Sequence, residues 1–151
     1  MRRALLALLV VAAVPACGPH RIPGTDLEDT GDTRAIIDTI SKYNSALEAR
    51  DANGILALVH PEFRDNAGTL DPSDDIDIER LRTVLPQRLA KLQDVAVRIE
   101  IKAIDVKGDQ AQAVYTWVSQ FKLNGKSRTE SDIKRMELRR TAEGWRILSG
   151  I

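Results

Sequence analysis

The sequence has few of the residues on which several classes of protein depend. Its 151 residues include one cysteine, so no disulfide can form within the chain. Positive and negative side chains are equal in number, 22 of each, which excludes a strongly basic nucleic-acid-binding protein. No apolar run reaches the eighteen residues that suggest a transmembrane helix. The length allows one domain and argues against two.

The first eighteen residues, MRRALLALLVVAAVPACG, have a pattern of their own. Arg2 and Arg3 precede an uninterrupted apolar stretch at positions 4–14, which as a helix would span about 16 Å and is too short to cross a bilayer. This pattern is typical of a secretory signal peptide, here residues 1–16. The letters VPAC at positions 14–17 resemble a bacterial lipobox, and this resemblance implies that Cys17 is lipidated and becomes the first residue of the mature chain.

The resemblance to a lipobox also implies a location in the bacterial cell envelope, because acyl chains on Cys17 would anchor the protein stably. Gly18 stands where an aspartate would favour inner-membrane retention in enteric-type sorting, so we expect the outer membrane. The alternative interpretation is an ordinary cleaved signal peptide followed by an unmodified cysteine. Residues 17–32 contain two prolines, three glycines and four acidic residues, and are predicted to be a flexible tether.

Residues 33–151 have the patterns of one folded domain in which helices precede strands. The first helix has apolar residues at spacings of four, three and four: Ile36, Ile40, Tyr43 and Leu47. Asp32 or Thr33 is its predicted N-cap. A short second helix follows around Ile55, and a third is predicted over residues 78–92, where Pro86 must kink or divide it.

From residue 95 onward the apolar period changes to two, the period of a β-strand. The first predicted strand places on one face Val95, Val97, Ile99, Ile101 and Ala103. The second places on one face Ala111, Ala113, Tyr115, Trp117, Phe121 and Leu123. Asn124 and Gly125 are a strong hairpin signal before strands at 128–140 and 145–151. Helices followed by an antiparallel meander predict an α+β domain.

Two motifs in this order of elements resemble a known superfamily. They are SALEARDANGILALVHPEFRD at positions 45–65 and EGWRILSG at positions 143–150. Both are similar to the nuclear transport factor 2-like, or SnoaL-like, superfamily, and the resemblance covers nearly all of residues 33–151. It implies a cystatin-like α+β roll, in which three N-terminal helices pack in a curved antiparallel sheet that forms a cone with a pocket at its wide end. Members include isomerases, polyketide cyclases, dehydratases and domains that only bind or assemble.

The ketosteroid isomerases of this superfamily use a tyrosine on the first helix, a protonated acid on a strand and a carboxylate base after the second helix. Tyr43 matches the tyrosine. An ungapped match puts the base at Ala67, and Asp65 or Asn66 reaches that place only if the loop shifts. The strand at positions 110–123 contains no acid. We therefore expect Tyr43 to be a packed core residue and no isomerase catalysis.

A second candidate site lies on the inner side of the predicted sheet. If Met136 and Leu138 point into the core, the acidic and basic residues before them continue along the same face towards the mouth of the cone. The candidate pocket residues are then Tyr43, Tyr115, Trp117, Glu130, Asp132 and Lys134. An apolar floor with a charged rim is typical of small-molecule sites. Alternatively, the three charged residues are solvated at the end of a strand.

The remaining features concern metals and partners. The acidic stretch at positions 62–79 lacks the spacing of a calcium loop, so we expect no metal and no cofactor. Val114, Thr116 and Val118 on the outer face of the second strand indicate either a homodimer or ordinary β-propensity on an exposed sheet. The sequence thus predicts a membrane-anchored envelope lipoprotein with a non-catalytic domain that binds a small molecule or a protein. The alternative is a small isomerase, cyclase or dehydratase acting on an apolar substrate.

Overall fold

The structure, a computed structural model, describes residues 20–66 and 72–151. The predicted signal peptide, Cys17 and Ala67 lie outside the described residues. The three helices are α1 (Gly31–Ala49), α2 (Ala52–Leu58) and α3 (Ile78–Ala90). The strands are β1 (Arg64–Asp65), β2 (Ile76–Asp77), β3 (Leu92–Lys107), β4 (Gln110–Leu123), β5 (Lys126–Thr141) and β6 (Gly144–Ser149). This order confirms the predicted α+β class.

Helix α1 begins at Gly31 and has a different cap from the one predicted. The hydroxyl of Thr30 accepts a hydrogen bond from the backbone N–H of Thr33 at 3.0 Å, so Thr30 is the N-cap. The prediction of Asp32 or Thr33 was wrong, because the carboxylate of Asp32 instead pairs with Arg140 of β5 at 2.7 Å. Sequence alone could not reveal that this partner lies 108 positions away.

The described part of the segment predicted as a tether is more structured than expected. Residues 20–30 form a turn in which Arg21 and Glu28 make an antiparallel bridge. Leu27 is buried, and Asp29 accepts two hydrogen bonds from the guanidinium of Arg34 in α1, at 2.5 and 2.7 Å. This bidentate ion pair therefore ties the turn to the first helix.

Pro86 lies inside α3 and does not divide it, because the helix is continuous from Ile78 to Ala90. The division allowed by the sequence was therefore wrong, although the proline removes the backbone hydrogen bond to the carbonyl of Arg82. Leu92, predicted to be the last apolar residue of this helix, is instead the first residue of β3.

The main sheet is an antiparallel meander in the order β3-β4-β5-β6. At the turn between β4 and β5, Asn124 and Gly125 have φ angles of 52° and 76°. A two-residue hairpin turn that matches the twist of its strands requires positive φ at both positions, so the predicted hairpin is confirmed. Ser119 of β4 lies between Val97 of β3 and Glu130 of β5 in the strand register.

The alternation predicted for β3 fails after Ile101. A register shift between Ile101 and Ala103 leaves Ala103 exposed, whereas Ile104 and Val106 pack against the core. The prediction that Ala103 faces inward was wrong because a bulge inserts one residue and moves the following side chains to the opposite faces.

Residues at the end of α1 fasten the helix to the start of β3. The carboxylate of Glu48 accepts the backbone N–H of Val97 at 2.9 Å. The guanidinium of Arg50, whose backbone is left-handed at φ 54°, donates to the carbonyl of Leu92 at 2.8 Å. The charged residues of the ALEARD motif thus position the helix across the concave face of the sheet, at one side of a cavity.

Candidate functional site

A cavity of about 420 Å³ lies between the concave face of the sheet, the second half of α1 and helix α3. This volume falls in the range of small-molecule sites. Its apolar lining is Leu47, Ile55, Phe63, Ile76, Leu81, Leu85, Leu89, Leu92, Val95, Val97, Trp117, Phe121 and Ile151. Its polar and ionisable lining is Tyr43, Asp65, Arg88, Ser119 and Glu130.

Three residues near the cavity, Met136, Leu138 and Pro86, do not fill it. Met136 and Leu138 are fully buried further along β5 and are not part of the lining. Pro86 is exposed on α3, and its neighbour Leu85 forms part of the wall. The space is therefore available to a molecule other than water.

Tyr43 reaches the cavity because it belongs to the apolar stripe of α1. The residue is 5% exposed. Burial, and to a smaller extent the neighbouring Tyr115 and Asp65, raises the pKa of Tyr43 above its usual range. The phenol therefore stays protonated at physiological pH and can donate a hydrogen bond into the cavity.

Asp65 lines the cavity from the short strand β1 and fastens the end of the sheet. Its Oδ2 accepts the backbone N–H of Gly150 at 2.7 Å and that of Ile151 at 3.3 Å. Sequence reasoning offered Asp65 as a catalytic base only after a loop shift, whereas the structure places it in the lining. Its observed contacts are those of a residue that holds two segments of backbone together.

The structure separates the six predicted pocket residues into two groups. Tyr43, Trp117 and Glu130 line the cavity, and Tyr115, Asp132 and Lys134 do not.

Each residue of the second group has another role. Tyr115 is buried behind the cavity, where its hydroxyl donates to the carbonyl of Gly150 at 3.0 Å and burial raises the pKa of the phenol. The carboxylate of Asp132 is exposed and accepts the backbone N–H of Ile133 at 2.7 Å. The ammonium of Lys134 lies 4.9 Å from the centre of the Trp117 ring.

Two polar lining residues, Ser119 and Arg88, were missed by sequence reasoning. For Ser119 the signal was present, because the period-two alternation of Tyr115, Trp117 and Phe121 requires position 119 to point the same way. For Arg88 the signal was also present, because its spacing from Leu81 and Leu85 is that of one helix face. It was passed over because a basic residue in the last turn of a helix is ordinarily solvated and stabilises the helix dipole.

The acidic stretch before α3 has structural partners. The carboxylate of Asp77 accepts the backbone N–H of Arg80 at 2.8 Å and caps the helix. Among the described residues, no group of three or more His, Cys, Asp or Glu side chains is placed to hold a metal ion. Within positions 20–66 and 72–151, no helix is both long and apolar enough to cross a bilayer.

Comparisons with known proteins establish the fold. No protein-family model matches this chain, and no curated protein matches it. A nuclear transport factor 2-like protein with a cystatin-like fold from Novosphingobium aromaticivorans is 19% identical, with a TM-score of 0.63 and 79% of each chain covered. A nuclear transport factor 2-like superfamily protein from Salmonella enterica serovar Typhimurium is 17% identical, with a TM-score of 0.66 and coverage of 78% of this chain and 86% of that one.

A ketosteroid isomerase-like protein from Erwinia carotovora atroseptica is 18% identical, with a TM-score of 0.65 and coverage of 82% of this chain and 98% of that one. At such identities the likeness concerns the fold. The chain has the nuclear transport factor 2-like, cystatin-like fold, and the predicted roll is confirmed.

Proposed function

We propose that this protein is an envelope lipoprotein whose domain binds an apolar small molecule in the cavity between α1, α3 and the sheet. The observation that carries the binding proposal is the lining of the 420 Å³ cavity, in which all but five of the described residues are apolar. An apolar wall with a few convergent polar groups is the usual composition of a small-molecule site. The lipoprotein part rests on the lipobox-like residues before Cys17.

The binding proposal is tested with N-phenyl-1-naphthylamine, an uncharged probe that fluoresces in apolar surroundings. We expect a saturable increase in emission with the wild-type domain. Val95→Trp adds an indole to the wall of the cavity and should raise the dissociation constant at least about tenfold, because the probe loses its apolar contacts. Ala142→Trp is the control, since Ala142 is exposed at the turn between β5 and β6 and does not line the cavity. Equal binding to the wild type and Val95→Trp would contradict the proposal.

The proposal of a membrane anchor has a separate test. Cys17→Ala removes the thiol that would carry the diacylglycerol, and should move the protein from the membrane fraction to the soluble fraction. Cys17→Ser is a second variant that also lacks the thiol. Unchanged membrane fractionation of both variants would contradict lipidation at Cys17. Outer-membrane placement follows from Gly18 and is tested by density-gradient separation of the two membranes.

A second candidate function, a small isomerase, cyclase or dehydratase, has one observation in its favour. Tyr43 and Asp65, a proton donor and a carboxylate, both line the cavity. The two functions differ in the fate of a bound compound. A compound that co-purifies with the protein and is recovered unchanged after prolonged incubation supports binding, whereas a new species of altered mass or retention time supports an enzyme.

We also propose that a second copy of the chain covers the convex face of the sheet. Val114, Thr116 and Val118 lie on this face, and Ile133, which is 71% exposed, pairs in register with Thr116. Together these side chains form an apolar patch in the middle of a sheet whose other face is the core.

A further inference from the structure

Ser119 is a buried polar residue in the wall of the cavity whose hydroxyl has no partner within the described part of the chain. The residue is 2% exposed, and its Oγ makes no hydrogen bond there. A buried hydroxyl without a partner costs free energy, so such groups in a protein call for an explanation. A partner supplied by a ligand is an explanation that fits its place in the cavity lining.

The strand register shows which groups surround this hydroxyl. Ser119 pairs with Val97 on β3 and with Glu130 on β5, and all three side chains line the cavity. Trp117 lies two residues before Ser119 on the same face of β4 and also lines the cavity. The hydroxyl therefore lies between an apolar side chain and a carboxylate, beside an aromatic ring. With no hydrogen bond to fix it, the hydroxyl can rotate about χ1 among its staggered positions to meet a ligand.

The charged side chains that line the cavity indicate which chemical group of the ligand lies beside Ser119. Among the described residues, Asp65 and Glu130 line the cavity with carboxylates, and Arg88 lines it with a guanidinium. A ligand anion next to Glu130 would be repelled. A hydroxyl group suits the position, because it can accept a hydrogen bond from Ser119 and donate one to the carboxylate.

We propose that the ligand is a neutral apolar molecule bearing a hydroxyl group, and that Ser119 binds this hydroxyl. This inference rests on the proposed binding function and specifies the chemical class of ligand. It makes Ser119 a specificity-determining residue, whereas the apolar wall supplies the affinity common to all hydrocarbons of suitable size.

The test compares three compounds of similar size as competitors of N-phenyl-1-naphthylamine at pH 7: naphthalene, 2-naphthol and 2-naphthoate. The measured quantity is the ratio of the dissociation constants of naphthalene and 2-naphthol. We expect this ratio to fall about 2- to 10-fold in Ser119→Ala, because one ligand hydrogen bond is lost while the affinity for naphthalene stays the same. We also expect 2-naphthoate to bind the wild type more weakly than 2-naphthol does.

Ser131→Ala is the matched control, since Ser131 is exposed and pairs with Val118 on the convex side of the sheet. It should leave the ratio unchanged. The melting temperature of ligand-free Ser119→Ala should equal or exceed that of the wild type, because the variant removes an unpaired buried hydroxyl, and this shows that the variant is folded.

Two outcomes overturn the inference and leave the proposed function standing. In the first, naphthalene binds, but the ratio of the dissociation constants is the same in Ser119→Ala and the wild type. In the second, 2-naphthoate binds the wild type more tightly than 2-naphthol does. If neither the probe nor any competitor binds the wild type, the proposed function fails, and the inference fails with it.

Discussion

The carboxylate of Asp65 accepts the backbone N–H of Gly150 at 2.7 Å and thereby joins β1 to the residues that follow β6. The carbonyl of the same glycine accepts a hydrogen bond from the hydroxyl of Tyr115 at 3.0 Å. Its backbone has a φ of 89°, and a Cβ built on it would lie 2.0 Å from the carbonyl oxygen of Arg135. This small segment therefore holds one edge of the cavity, and only a glycine fits it.

Gly150→Ala should destabilise the fold by more than about 2 kcal/mol, because the methyl group meets backbone and the left-handed conformation is strained. The free energy of unfolding in urea measures the effect. Gly31→Ala is the control, since nothing lies within 4 Å of its position and its φ is not positive. It should change stability by no more than about 1 kcal/mol. Equal stability of the two variants would show that the segment around Gly150 relaxes freely.

The ion pair between Asp32, at the start of α1, and Arg140 predicts that the stability of the protein depends on pH. The hydrogen bonds from Arg140, and to a smaller extent that from the Trp145 indole, hold the pKa of Asp32 below its usual value of 3.8, against the opposing effect of burial. A carboxylate with a lowered pKa in the folded state stabilises that state above pH 3.8, and this contribution is lost as the pH falls through the lower, folded-state value.

Asp32→Asn should therefore have a lower melting temperature than the wild type at pH 7, and the difference should shrink below about pH 4. Melting curves of both proteins between pH 7 and pH 2 measure this difference. Asp38→Asn is the control on the same helix, where the carboxylate pairs with Lys42 in a more exposed position. A constant difference between Asp32→Asn and the wild type across this range would show that the charge of Asp32 does not contribute.

The hydrogen bond between Glu48 and Val97 predicts that Glu48→Ala loses more stability than Glu48→Gln. Glu48→Ala leaves the backbone N–H of Val97, which lies just past a register shift of β3, without its side-chain acceptor. We expect a loss of about 1 to 2 kcal/mol in the free energy of unfolding. Glu48→Gln keeps an acceptor oxygen and should lose less. If Glu48→Gln is as unstable as Glu48→Ala, the charge and not the hydrogen bond is what matters.

The apolar patch on the convex face predicts a dimer in solution. Ile133→Lys places a charge at the most exposed apolar residue of the patch and should weaken the dimer more than about tenfold. Light scattering after size exclusion measures the mass of both proteins. Ala142→Lys, at the exposed turn between β5 and β6, is the control and should remain a dimer. A monomeric wild type would contradict the proposal.

The helices and the order of the strands could be predicted because their signals are local. The stripe of α1, the hairpin at Asn124 and Gly125 and the alternation of β4 each depend on residues a few positions apart. The same alternation places Ser119 on the inward face, although serine is polar.

The features that could not be predicted depend on contacts distant in sequence. The bulge after Ile101 is a feature of the pairing between β3 and β4, and the local sequence pattern does not predict it. Asp65 reaches the cavity because Gly150 and Ile151 hold it, 85 and 86 positions away. Arg88 follows Leu81 and Leu85 on one face of α3, but only the packing of α3 shows that this face lines a cavity.

Native mass spectrometry of the protein extracted from membranes shows whether the cavity holds a small molecule. We predict an additional mass on the wild-type protein that is released on gentle activation, that is absent from Val95→Trp and that is retained by Ala142→Trp. A wild-type protein that carries no such mass, or a mass that Val95→Trp retains equally, would contradict the claim.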